Sequence, residues 1–373
     1  MNAYQEFLRD KRSLWRGSAI PTRAPLPDAA FGFQRKATAW ALAKGRAAMF
    51  ADCGLGKTLM QLAWAAQVEG PALILAPLAV GEQTAREAHK FGIDARVIAD
   101  AADVRDGVNI CNYEKMHRLD GVDFAAVVLD ESSILKAMDG KTSMALIERF
   151  ATTPYKLACS ATTAPNDYME LGMHAEFLGV MTRAEMLAKY FVHDGGETQV
   201  WRLKGHAQRD FWTWVCSWAL AFRKPSDLGE SDVGYELPPL CYHDVLVGST
   251  YQRAGELFAT GTLSLTERRE ARKASMEARV KAAADIANAT DEQVLVWCDL
   301  NAESEALADA IDGARELTGS MPNDAKVRAM MDFADGSLRV LVTKPSIAGF
   351  GMNWQNCARM IFCGLSDSYE AMY

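Results

Sequence analysis

Ala51-Asp52-Cys53-Gly54-Leu55-Gly56-Lys57-Thr58, preceded by the apolar Ala47-Ala48-Met49-Phe50 and followed by Leu59-Met60-Gln61-Leu62, reads as a loop joining a strand to a helix. Glycines at 54 and 56 let successive backbone N–H groups curl around a phosphate, and the helix start adds the positive end of its dipole. Lys57 stands where an ammonium reaches the β- and γ-phosphate oxygens, and Thr58 where a hydroxyl sits on Mg²⁺. The stretch therefore predicts a bound nucleoside triphosphate. Ala51 occupies the place of the first glycine of the general pattern, a departure of little steric consequence.

On either side of this loop, short apolar runs alternate with helical patterns. Ala47–Ala51, Ala72–Ala76, Val108–Asn112, Ala125–Leu129 and Lys156–Cys159 read as buried strands, and Gln34–Lys44, Lys57–Val68, Glu82–Phe91 and Lys141–Phe150 as helices. Such alternation predicts a parallel, doubly wound sheet covered on both faces, with its ligand at the carboxyl ends of the strands. From about Met181 to Leu240 the pattern turns aromatic and helical, closing on Pro238-Pro239. A charged helical stretch, Ser249–Ala289, follows. Strands then resume at Val294–Cys298, Arg339–Thr343 and Arg359–Cys363, with helices at Ala302–Ile311 and Asn323–Phe333. The expected organisation is an N-terminal extension (1–30), a first lobe (31–182), a helical insertion and inter-lobe crossing (183–240), and a second lobe (241–373) that is incomplete at its C-terminus.

The chain has 373 residues, enough for two or three domains of about 100–200 residues each. Hydrophobic residues make up 49% and charged residues 24%, which excludes disorder as the main state. A net charge of -8 gives no overall attraction to polyanions, so any nucleic-acid contact must come from a local basic surface. The eight cysteines (Cys53, Cys111, Cys159, Cys216, Cys241, Cys298, Cys357 and Cys363) form no CxxC pair and fit a reduced, cytoplasmic compartment. There is no secretion signal and no uninterrupted apolar stretch of about 18 residues, so no membrane contact is expected. The six histidines lack metal-ligand spacing and receive no catalytic role.

Val127-Val128-Leu129-Asp130-Glu131 is an apolar strand that ends in two carboxylates. Beside a phosphate loop, that pattern suits a Mg²⁺-holding acid, Asp130, and a base, Glu131, that orients and deprotonates an attacking water. On its own the pair could equally be a solvated turn.

Taken in order, Phe33-Gln34-Arg35, the phosphate loop, Ala76-Pro77-Leu78 with Glu87, Asn112-Tyr113-Glu114, Asp130-Glu131-Ser132-Ser133 with Lys136, Ser160-Ala161-Thr162-Thr163-Ala164-Pro165-Asn166 with Glu170-Leu171, and Ala348-Gly349-Phe350-Gly351-Met352-Asn353-Trp354 follow the motif order of superfamily-two helicases. In detail the chain resembles the Swi/Snf-type ATP-dependent DNA translocases, in the compact form found in phages and mobile elements. The resemblance covers about Phe31 to Tyr373 and is weakest between Arg183 and Ala289.

It implies an α/β fold of two RecA-like lobes, with ATP and Mg²⁺ as cofactors and double-stranded DNA as the partner of a monomer. Translocation along that DNA without reading its sequence is the implied activity. Among the residues, it implies that Gln34 reads the adenine edge and that Ser160 and Thr162 couple the nucleotide to lobe movement. Pro77, Asn112, Tyr113, Lys136 and Asn166 would lie toward DNA, while Gly349, Gly351 and Asn353 would meet nucleotide or DNA on closure. A strand-separating helicase, or a nucleotide-dependent module that loads DNA or a protein without moving, is the alternative.

Some positions depart from the family pattern. Ser133 stands where helicases often have His, and Thr163 where the Swi/Snf pattern usually has Pro. The paired-arginine motif that follows Ser368-Tyr369-Glu370 in such proteins is absent from the sequence, which stops at Tyr373. An arginine finger contributes about 10³–10⁵ in turnover, so the chain as given is expected to bind ATP but hydrolyse it poorly, as a truncated protein would.

Two further stretches carry open readings. Phe211, Trp214, Val215, Trp218 and Phe222 recur at helical spacing as core or, less simply, as a base-stacking face, with Trp201 and Trp212 off the stripe and available for exposed contacts. Arg268, Arg269 and Arg272 belong to the most basic helix, which fits either phosphate contact or a solvated face with pairs such as Glu277 and Lys281.

Overall fold

The computed structural model describes residues 14–78, 80–136, 140–162, 167–193, 201–236, 238–248, 265–349 and 351–364. The chain divides into two units, Met1–Leu237 and Pro238–Tyr373. Each is α/β with a parallel sheet flanked by helices, as the alternation of runs predicts.

In the first unit the described elements run α1 (Gly32–Lys44), β1 (Arg46–Ala51), α2 (Lys57–Ala65), β2 (Pro71–Ala76), α3 (Val80–Lys90), β3 (Ala95–Val97), β4 (Gly107–Asn112), β5 (Ala126–Leu129), α4 (Lys141–Arg149), β6 (Tyr155–Cys159), α5 (Leu171–Leu178), α6 (Arg183–Tyr190), β7 (Phe191–His193), β8 (Trp201–Leu203), α7 (Gln208–Trp218) and β9 (Ala219–Phe222). The sheet order is β3-β4-β2-β5-β6-β1-β9, with every neighbouring pair parallel. β7 and β8 form a separate antiparallel pair.

Apolar strand runs are continuous because both faces of this sheet are covered. Alternate residues sort into two cores. Ala48, Phe50, Leu73, Leu75, Val127 and Leu129 join Phe177, Trp214 and Trp218 on one side. Ala47, Met49, Ala72, Ile74, Ala126 and Val128 join Phe33, Met60 and Trp64 on the other. Each fully buried large side chain contributes about 1.5–3 kcal/mol relative to exposure, which makes these two layers the main stabilising term.

The stretch expected to be a helical insertion and crossing behaves differently. Phe211, Trp214, Val215 and Trp218 do line the buried face of α7, but that helix stops at Trp218. Phe222 sits instead in β9, where it pairs with Ala51 of β1, so residues up to 222 complete the first sheet. Backbone pairing overrode the helical spacing here, because a strand beside β1 satisfies an edge that would otherwise be open.

The second unit comprises α8 (Leu265–Ala274), α9 (Met276–Asn288), β10 (Val294–Trp297), α10 (Asn301–Ala310), β11 (Ala314–Glu316), α11 (Asn323–Ala334), β12 (Val340–Thr343), α12 (Pro345–Ala348) and β13 (Arg359–Phe362). Its strands order as β11-β12-β10-β13, all parallel. The charged helical stretch expected over 249–289 is helical where it is described, as two helices that break at Ser275, and 249–264 lie outside the described residues. Arg279 ion-pairs with Glu303, a carboxylate buried at 1% side-chain exposure whose other oxygen accepts the Asp299 N–H at 2.8 Å. That pair clamps α9 against the start of α10.

Candidate functional site

Strands β1, β5 and β6 are neighbours through β6, and their carboxyl ends bring Ala51, Asp130 and Ser160 to one edge of the first sheet. The loop leaving β1 begins with the Asp52 N–H donating to the Phe222 carbonyl at 3.1 Å, so β9 fixes its departure. Gly54 and Gly56 adopt φ of 77° and 73°, a region in which a side chain is strained. A Cβ on Gly54 would meet nothing within 4 Å, so it is the backbone angle and not crowding that calls for glycine there. Gly56 also leaves room for Gln34, whose Nε2 a Cβ there would approach to 2.4 Å.

Gln34 is buried and bonded at both ends of its amide, accepting the Phe31 N–H at 3.0 Å and donating to the Leu55 carbonyl at 3.0 Å. It therefore ties α1 to the phosphate loop. Lys57 and Thr58 open α2, both half-buried. The Lys57 ammonium donates to the carbonyls of Ala51 (3.1 Å) and Asp52 (3.3 Å), lying across the mouth of the loop.

Asp130 is buried, with its N–H donating to the Leu75 carbonyl at 2.8 Å and its carbonyl accepting the Tyr113 hydroxyl at 2.7 Å. Its Oδ1 accepts from Gln61 Nε2 at 2.7 Å. Burial raises the Asp130 pKa, while the Gln61 hydrogen bond and the Lys57 charge pull it back. Glu131 follows at φ 54°, the only positive φ outside glycine among the described residues. Its carboxyl is pushed up to about 7, first by burial and then by the neighbouring Asp130 charge, against the pull of Lys57, Ser160 and Lys136. A carboxylate poised there can hold or release a proton near neutral pH. Ser160 donates to Glu131 Oε2 at 3.4 Å and accepts the Thr162 N–H at 3.1 Å, and Lys136 donates to Thr162 Oγ1 at 3.3 Å.

Thus Gln34, Gly54, Gly56, Lys57, Thr58, Asp130, Glu131, Ser160, Thr162 and Lys136 come together along one end of the first sheet. Pro77 follows β2 at the same end. Asn112 and Tyr113 are engaged locally, Asn112 capping the following turn through the Lys115 N–H and Tyr113 reaching inward to Asp130. Asn166 and Phe350 lie outside the described residues.

Gly349, Gly351 and Asn353 belong to the second unit. A Cβ on Gly349 would come within 2.4 Å of the Pro345 carbonyl, and Gly351 has φ 71°. Of the basic stretch, Arg269 on α8 is exposed, but Arg272 of α8 lies 3.6 Å from Asp299 and Arg279 of α9 is bound to Glu303, so part of that charge faces its own unit. Lys281 pairs with Asp285 at 2.8 Å. Off the aromatic stripe, Trp212 is exposed against Tyr168, while Trp201 is half-buried against His193.

Sequence reasoning missed two side chains. Gln61, in the middle of α2, is the donor that holds Asp130, and His174, in the middle of α5, lies with Nε2 3.1 Å from Ser132 Oγ. Each is a polar residue flanked on both sides by apolar ones and fully buried, which is the signal that could have found them.

Residues 278–373 match the family described as the helicase conserved C-terminal domain. The second unit thus carries a helicase-type C-terminal domain. Among solved structures, it is similar to the Sulfolobus solfataricus SWI2/SNF2 ATPase core in complex with dsDNA, at 18% identity and a TM-score of 0.47 over 93% of this chain and 84% of that one. The Sulfolobus solfataricus SWI2/SNF2 ATPase core domain is similar at 16% identity and a TM-score of 0.45, over 94% and 85% of the two chains. No curated protein sequence matches. All eight cysteines are free thiols, and among the described residues no helix is long and apolar enough to cross a membrane.

Proposed function

We propose that this chain is a motor ATPase of the Swi/Snf type, which couples ATP hydrolysis to movement along double-stranded DNA without reading its sequence. The observation that carries the proposal is the convergence of the Lys57 ammonium with the buried Asp130 and half-buried Glu131 carboxylates at the carboxyl end of one parallel sheet, beside the glycine loop. The helicase C-terminal match in the second unit supports the same reading.

In this reading the backbone N–H groups of 54–58 and the Lys57 ammonium bind the phosphates, and Gln34 meets the adenine edge. Thr58 and Asp130 would hold Mg²⁺, which supplies charge neutralisation at the phosphoryl group. Glu131 accepts the proton of the attacking water through its carboxylate. Ser160, touching Glu131, passes the state of that carboxylate on to Thr162 and Lys136. Arg268 and Arg269 would supply phosphate contacts to DNA, and Pro77, Asn112, Lys136, Asn166 and Asn353 would add further contacts to it. In this reading the two units, Met1–Leu237 and Pro238–Tyr373, are the two lobes, and residues 183–222 belong to the first.

DNA-stimulated ATP hydrolysis tests the proposal. Lys57→Ala and Glu131→Gln are expected to lower turnover by about 10²-fold or more, in line with the loss of charge stabilisation or of the base. A triplex-displacement assay then reads movement, since only a translocating motor strips a third strand with ATP. Turnover that is unaffected by both substitutions would refute the ATPase assignment.

A further inference from the structure

We infer that His174 is a positioning residue for Glu131: by holding Ser132 it fixes the turn that aims the Glu131 carboxylate. The inference rests on the proposed role of Glu131 as the base. A non-glycine side chain at positive φ persists only where its neighbours over-determine the backbone. Upstream of Glu131 that work falls to the Asp130 N–H on the Leu75 carbonyl and the Tyr113 hydroxyl on the Asp130 carbonyl. Downstream, the Ile134 N–H donates to the Glu131 carbonyl at 3.3 Å, and the fully buried Ser132 side chain meets His174.

His174 comes from α5, distant in sequence, and is itself fully buried. Its Nδ1 lies 3.4 Å from the Glu170 carbonyl, which can only accept. The proton therefore sits on Nδ1, leaving Nε2 to accept from the Ser132 hydroxyl. The ring also stands edge-on to Phe50 of β1, with centroids 5.5 Å apart. Phe50 is the residue before Ala51, where the phosphate loop departs. One imidazole thus references the Glu131 turn to the strand that carries the phosphate loop.

The test uses the full chain with His174→Leu, Ser132→Ala and the double variant, alongside His174→Gln, which keeps an acceptor for Ser132. Each single loss of the bond is expected to lower kcat of DNA-stimulated ATP hydrolysis about 10-fold, as a displaced catalytic group does. KM for ATP should stay within about twofold, because the phosphate loop is untouched. The double variant should be no slower than the slower single one, and His174→Gln should recover part of the rate. Crystals of Ser132→Ala or His174→Leu should show Glu131 away from φ 54° or parted from Ser160. Wild-type kcat in both singles, or an unmoved Glu131 turn in their crystals, overturns the inference, as do losses that multiply in the double variant. If the wild-type chain turns over no ATP while the turn moves in the variants, the ATPase reading fails and the positioning role stands.

Discussion

Replacing Gln61 with Leu removes the side-chain amide that donates to Asp130 while keeping the volume and helix preference of the site. Gln61 is 1% exposed and Asp130 5%, so no water takes over the 2.7 Å bond without local opening. A hydrogen bond to a charged group contributes about 1.5–3 kcal/mol, and the orphaned carboxylate bears a desolvation cost of similar size. Taking about 2 kcal/mol, and about 2–4 °C per kcal/mol for a unit of this size, Gln61→Leu should lower the melting temperature of the first unit by about 4–8 °C at pH 7.5. Burial raises the Asp130 pKa even with Gln61 present. Without the bond it rises further, so the loss should shrink as pH falls and the carboxyl takes up a proton. A thermodynamic cycle with Asp130→Ala isolates the pair, with an expected coupling of about 1–3 kcal/mol. A coupling below about 0.5 kcal/mol, or a penalty that grows on acidification, would refute the claim that Gln61 holds an ionised Asp130.

Three further outcomes follow from the same charges. Because Glu131 must be deprotonated to act as a base and its pKa is pushed up to about 7, the kcat/KM profile for ATP should fall on the acid side with a limb at or below pH 7, and Glu131→Gln should abolish that limb. His174 is held neutral, its pKa lowered to about 4 from 6.5 chiefly by burial. The unfolded chain therefore binds the extra proton first, and this group's contribution, full above pH 6.5, should decline by about 3 kcal/mol as pH drops towards 4, a decline that urea titrations should find missing in His174→Leu. In the second unit, Arg279→Ala strands the buried Glu303 carboxylate and should cost about 3–5 kcal/mol by urea denaturation, whereas replacing both residues with apolar ones should cost far less.

Much of the fold was legible because parallel strands buried on both faces leave unbroken apolar runs, such as Val127-Val128-Leu129, that end where helices begin. β3 and β11 escaped because three residues carry too little pattern. β9 escaped for a different reason: Phe222 continues the four-residue spacing of Trp214 and Trp218, so the sequence reads as one helix where the chain in fact changes from helix to strand at Ala219. At the site, glycines and charges in fixed order were readable, since each has few other reasons to occur there. Gln61 and His174 were not, because what they do depends on contacts 69 and 42 residues away in sequence. Arg272 shows the converse, a surface-like basic residue turned onto Asp299 by the packing of its own unit.

The two carboxylates are the reason the site should respond to a divalent cation. Asp130 and Glu131 both lie in buried surroundings that raise their pKa, and Lys57 is the ammonium whose charge offsets both. Each is destabilising to the folded unit while ionised and unpaired, so a cation that binds the folded form alone must stabilise it, by RT ln(1 + [L]/Kd). At about 100-fold excess over Kd that amounts to about 2.7 kcal/mol, enough to read as a melting shift of several degrees. Mg²⁺ with a nonhydrolysable ATP analogue should therefore raise the melting temperature of the wild-type chain more than the analogue alone does. Asp130→Asn should remove most of that difference while leaving the analogue's own shift, since Lys57 and the glycine loop remain. An equal Mg²⁺ effect in the two proteins would mean that the cation is held elsewhere, and the role assigned to Asp130 would fail with it.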